Sequence, residues 1–458
     1  MARPAVRAPR ESGGAAGLVR TDLTTLLTLS GPVVISRLGI MAMGLCDTVV
    51  VGRYSAQELG YHALAWAPTS VVLTFAIGLL TGVNVMTARR IGEGRRDLTG
   101  AVLRRGLVYS FWIGLVSMVV LIAGGPPFMH AIGLEPDLAD GSSKVLTIFA
   151  LSLPFYGLAV TSSMWLEGHS RPGPGAWAMW AANVVNLGLL LLLVPGTFGL
   201  PAMGALGGAW ATTGARAFLV VAMLVYIVRM PEARALGVFR KPERDRPAEI
   251  AQRRIGYGAG ASNFFEVASF AGMNIVAGWI GGLAVAAFAI ALNVASIVFM
   301  VPLGLATGAS VLVGKAYGAR DPAAVKRAVL VSIGVAAAFG LIVSLAIWPT
   351  AGWIAQGYTK DPATIAMAAS ALVLCCLFFL PDAVQVVMAQ SLRARGDIWI
   401  PSATHLLSYI VIMAPLAWWL AIPMSMGVNG IIAGIVIATF ISCALLLGRF
   451  WLLNRRGL

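Results

Sequence analysis

Twelve runs of apolar residues, each long enough to cross a bilayer, leave this chain few ways to fold. They lie near 24–49, 63–88, 105–125, 145–166, 176–195, 204–228, 256–280, 284–312, 328–350, 364–391, 400–421 and 428–452. About 20 helical residues cross a hydrocarbon core, where each backbone polar group must be satisfied inside the protein. The expectation is an all-α polytopic membrane protein with twelve transmembrane helices. Composition agrees: of 458 residues 59% are hydrophobic and only 11% charged, with mean hydropathy +0.84. A soluble domain carries about 25% charged residues.

The positive charges are unevenly placed. Arg3, Arg7, Arg10 and Arg20 precede the first run, Arg89, Arg90, Arg95, Arg96, Arg104 and Arg105 follow the second, and a further cluster fills 229–254. Loops on the opposite side hold only Arg53, Lys144 and Lys360. Positive loops stay inside, so both termini are expected in the cytoplasm of a cell inner membrane. The net charge of +14 then reflects topology, with no nucleic-acid partner; the basic loops face anionic membrane lipids. The N-terminal stretch lacks a signal-peptide core. Four cysteines, all in apolar runs, are read as core residues.

The chain repeats itself. GLLTGVNVMTARRIG (78–92) aligns onto GLATGASVLVGKAYG (304–318) without gaps, six of fifteen positions being identical, at an offset of 226. Leu153–Pro154 matches Leu380–Pro381 at an offset of 227. Six spans per copy make the halves parallel, related by an axis along the membrane normal. The expected organisation is a disordered basic tail (1–22), a first lobe (23–228), a linker (229–255) and a second lobe (256–458). These are two six-helix pseudo-symmetric lobes around a central cavity, expected as a monomer.

Of nineteen acids, three fall deep within spans: Asp47, Glu266 and Asp382. A buried acid costs roughly 2.5–3.5 kcal/mol on insertion scales, so it marks a working site more often than helix glue. Glu266 maps through the repeat to position 40, seven residues before Asp47, so both look out from one face of equivalent helices. Polar neighbours follow at helical spacing: Asn263 and Ser269 beside Glu266, Gln385 after Asp382, and Phe378 one turn before it. Asn183 and Asn186 lie in the fifth span. Pro381 leaves the Leu377 carbonyl without a donor, and Pro381 and Pro32 are candidate hinges. Arg37 and Arg216 also lie in spans, without an assigned role. No pair of histidines is spaced to bind a metal, and no P-loop pattern occurs. The chain is therefore not read as an enzyme; an ion gradient is expected to drive transport, with no cofactor.

The segments MGLCDTVVVGRYSAQELG (43–60), SNFFEVASF (262–270), ALNVASIVFMVPLGLATGASVLVG (291–314) and PDAVQVVMAQSLRARGD (381–397) resemble multidrug and toxic compound extrusion (MATE) transporters of the NorM type. The resemblance covers essentially all twelve spans. It implies a secondary antiporter that exports organic, often cationic amphipathic compounds in exchange for Na⁺ or H⁺. It also implies that Glu266 and Asp382 form a second-lobe cation site, with Asp47 and Asn186 grouped in the first lobe. Phe378 and Leu190 stand where some NorM-type proteins carry a tyrosine and an asparagine, which lowers the ligand count for Na⁺ and favours H⁺. A lipid-linked oligosaccharide flippase of related fold is the alternative; it would favour a cationic cavity, whereas three acids here face two arginines. A non-transporting scaffold or receptor would leave the acids and the repeat unexplained.

Overall fold

The computed structural model describes residues 15–241 and 245–455, and its described elements are all helical. Twelve long helical segments follow one another: α1 (Ala15–Tyr54), α2 (Ala56–Gly92), α3 (Arg96–Ala131), α4 (Pro136–Gly168), α5 (Gly173–Leu193), α6 (Gly204–Arg229), α7 (Arg246–Ile280), α8 (Gly282–Gly318), α9 (Pro322–Tyr358), α10 (Pro362–Arg395), α11 (Trp399–Ala421) and α12 (Gly427–Arg455). Eleven of these are long and apolar enough to cross a membrane. α7 falls outside that count: Ser262, Asn263, Glu266, Ser269 and Asn274 interrupt its apolar run.

Local chemistry sets the ends. Asp321 and Asp361 each accept a backbone N–H three residues on, at 2.9 and 2.8 Å, and each is followed by a proline. An acidic cap plus a proline that has no N–H to lose is a strong helix start. Asp245 caps α7 in the same way, through Ala248. The helices therefore extend beyond the apolar runs. Two boundaries move as a result. The basic tail expected over 1–22 is helical from Ala15, while 1–14 lie outside the described residues. The linker expected over 229–255 shortens, because Arg246–Ile255 forms the first turns of α7. Arg229 closes α6.

Helices α1–α6 make one lobe and α7–α12 the other. Hydrogen bonds between them gather in the half of the bundle nearer the end that carries Arg89, Lys315 and Arg327, called here the basic end. Arg327 Nε donates to Asp22 at 2.6 Å, Lys315 Nζ to Ser170 Oγ at 2.6 Å, and Asn263 Nδ2 to the Thr74 carbonyl at 3.2 Å. Two glycines make the close approach possible. A Cβ on Gly92 would collide with the Lys315 carbonyl, and one on Gly318 with the Arg89 carbonyl. Gly92 and Arg89 map onto Gly318 and Lys315 at the offset of 226, so one contact is made twice.

The same offset runs into α4 and α10. Gly114 packs on the backbone of Pro154, and its equivalent Gly340 on the backbone of Leu380. The expected match of Leu153–Pro154 with Leu380–Pro381 is thus one residue out of structural register. Both helices carry a proline there, one position apart.

Candidate ion and substrate site

In the second lobe, α10 carries Asp382, 3% exposed, and one turn later Gln385. The Gln385 amide donates to Asp382 Oδ1 at 3.2 Å and to the Tyr409 phenol oxygen at 2.7 Å. Its carbonyl accepts from Ser442 Oγ of α12 at 3.1 Å. Both amide hydrogens and the oxygen are thus engaged, which fixes one face of the Asp382 carboxylate. Tyr409 lies in the π-helical stretch Leu406–Met413 of α11, a widened turn of a kind that recurs at functional sites.

Glu266 sits across from this network on α7. It is half-buried and within electrostatic reach of Asp382. Two carboxylates that close in a membrane interior repel each other, and a shared cation or proton relieves the repulsion. Ser269, one turn from Glu266, is buried, and its hydroxyl has no partner among the described residues. Phe378 is buried with its ring 5.9 Å from that of Phe379 and offers no oxygen; Tyr409 brings one from another helix. Asn263 does not join the acids: it binds the Thr74 carbonyl of the other lobe.

In the first lobe, Asp47 is 3% exposed and doubly held. Asn186 Nδ2 donates to Oδ1 at 3.1 Å and Thr212 Oγ1 to Oδ2 at 2.6 Å. Asn183 lies outside this cluster; it donates to the carbonyls of Gly39 and Met179, clamping α5 to α1. Leu190 is fully buried core. Arg216 lies within electrostatic reach of Asp47. Its guanidinium donates to Ser152 Oγ at 2.5 Å and stacks 4.7 Å from the Tyr156 ring. Arg37 lines the same cavity as Glu167, a buried acid at the end of α4 that accepts from Ser163 at 3.3 Å. Pro32 and Pro381 both lie inside unbroken helix.

Thr212, Tyr409, Ser442, Glu167 and Arg393 escape the sequence reading. Arg393 stands in a basic cluster that reads as loop, yet it is 2% exposed and eleven residues, about three turns, from Asp382. Glu167 reads as a span end. The hydroxyls carry no signal that sets them apart from other small polar residues in helices.

The comparisons bear on the same residues. The MatE family model matches twice, over 32–192 and 259–419, once in each half. A probable multidrug resistance protein NorM of Caulobacter vibrioides is 58% identical over 98% of this chain and 97% of its own length. The chain belongs to the MATE family, NorM type. Membership places it among transporters, not enzymes. Multidrug resistance protein PmpM of Pseudomonas aeruginosa is 31% identical over 88% of this chain and 85% of its own. The MATE fold itself is shared with the eukaryotic MATE transporter AtDTX14, at a TM-score of 0.84 and 18% identity, covering 96% of this chain and 99% of that one.

Proposed function

We propose that the chain is a secondary antiporter that exports organic, mostly cationic amphipathic compounds in exchange for H⁺ or Na⁺ by alternating access. The observation that carries this reading is the second-lobe pair: half-buried Glu266 within electrostatic reach of Asp382, whose other side is held by Gln385. The names of the relatives, multidrug resistance proteins, support the export of drugs in general. In this reading Glu266 and Asp382 take up the coupling ion, and the neutralised site releases the organic cation. Asp47, steadied by Asn186 and Thr212, is the first-lobe acid. Asn183, Asn263, Gln385 and Phe378 shape the surroundings, and Pro381 and Pro32 let α10 and α1 bend between states. The basic end faces the cytoplasm of a bacterial inner membrane, and the protein works as a monomer among membrane lipids.

The test is transport in proteoliposomes. Efflux of a cationic dye is followed under an imposed H⁺ gradient without Na⁺, and under a Na⁺ gradient without a pH difference. One of the two should drive efflux, and Glu266→Gln and Asp382→Asn should each abolish it at unchanged expression. Normal efflux by both variants sinks the proposal.

A further inference from the structure

Among the described residues, Arg393 is a buried cation without an ion pair. It is 2% exposed, and among the described residues no carboxylate lies within salt-bridge distance. Its Nη2 donates to Ser262 Oγ at 2.5 Å, its Nη1 to Gln390 Oε1 at 3.4 Å, and its Nε has no partner among the described residues. Neutral acceptors alone compensate a buried guanidinium poorly, and such charges are normally paired. The carboxylate within electrostatic reach is Glu266. It lies on the same helix as Ser262, four residues further on, so the two present neighbouring positions on one face about 6 Å apart. A guanidinium pivoting on its flexible stem spans that distance.

Ser262 is built as a perch. It donates in turn to Ser402 Oγ at 3.3 Å, and Ser402 to the Gly258 carbonyl at 2.7 Å. The turn of α10 that bears Arg393 also docks the other lobe: Arg89 of α2 donates Nη2 to the Arg393 carbonyl at 3.1 Å and Nε to the Ala394 carbonyl at 3.0 Å. One turn of helix thus touches both α7, one turn from Glu266, and the contact between lobes.

We propose that Arg393 is the resident counter-cation of the Glu266 site. It rests on Ser262 while Glu266 holds its ion or organic cation, and pairs with Glu266 when the site is empty. This rests on the reading of Glu266 as a cation site. An empty site then never presents a bare buried carboxylate, and the swing acts on the turn that Arg89 grips. Arg393 is a positioning residue: it competes with the ligand without touching it.

The experiment measures equilibrium binding of tetraphenylphosphonium to the purified full-length protein in detergent, with gel filtration to confirm folding. Arg393→Gln removes the competitor and should tighten binding about tenfold, within the usual range of coupling between sites. Ser262→Ala removes the perch and should weaken it several-fold, and Arg393→Lys should stay near wild type. Combined with Glu266→Gln, Arg393→Gln should add nothing. If Glu266→Gln weakens binding but Arg393→Gln leaves it unchanged or weaker, the counter-cation role is overturned while the site stands. No binding by wild type, or binding indifferent to Glu266→Gln, overturns the site reading and this inference together.

Discussion

Asn84 and Ser310 are 226 residues apart and hydrogen-bonded to each other, Ser310 Oγ donating to Asn84 Oδ1 at 3.1 Å. That separation is the offset of the internal repeat, so the bond joins two equivalent positions. One turn on, Ala88 meets its equivalent Gly314. Residues that touch their own counterparts lie on the symmetry axis, so the pseudo-two-fold passes through the end of α2 and the end of α8. The lobes close on that axis.

The axis makes a demand on Gly92 and Gly318, each pressed against a carbonyl of the opposite lobe. Gly92→Val and Gly318→Val should each prevent closure at the basic end and abolish dye efflux from cells, at normal expression. Wild-type efflux by both would show that this contact is not needed in the cycle.

Asp47 depends on two donors, and the shorter bond comes from Thr212. Thr212→Val keeps the shape and removes that donor, at a cost of about 1–3 kcal/mol for a buried acceptor left short. Thermal unfolding in detergent should show a clear drop, whereas Thr212→Ser should recover it. An unchanged midpoint for Thr212→Val would mean that Asp47 is satisfied without it.

Arg37 and Glu167 line one cavity, and among the described residues no ion pair joins them. Arg37→Met strands the acid and should cost on the order of 2 kcal/mol, below the roughly 3–5 of a contacting buried pair. Adding Glu167→Leu should restore the unfolding midpoint. Additive losses in the double variant would refute the coupling.

His169 caps α4 beyond the span. Burial lowers its pKa from 6.5 to about 4, overriding the favourable bond to the Trp165 carbonyl. The unfolded chain takes a proton near 6.5 while the folded one resists until about 4. Stability is therefore full above 6.5 and falls by up to roughly 3 kcal/mol as pH drops towards 4. His169→Gln should flatten the unfolding midpoint between pH 7 and 4.5 relative to wild type; parallel curves would contradict this.

Apolar run length and the repeat in 78–92 and 304–318 were enough to determine a twelve-helix, two-lobe membrane chain, because lipid leaves the backbone no alternative. The cost of burying charge likewise singled out Asp47, Glu266 and Asp382, since such residues are rare without cause. The sequence could not say which neutral groups reach them. Thr212, Tyr409 and Ser442 arrive from helices distant in the chain, and a hydroxyl in a helix costs too little to stand out. Asn183 and Asn263 stood at the right spacing yet serve helix packing and the contact between lobes, because spacing along one helix does not tell which neighbour lies across from it. Arg393 read as a loop charge until α10 proved to run on as helix to Arg395, its last turn bonded to Ser262 of α7 and Arg89 of α2, and only that packing turns a basic residue into a buried one near Glu266.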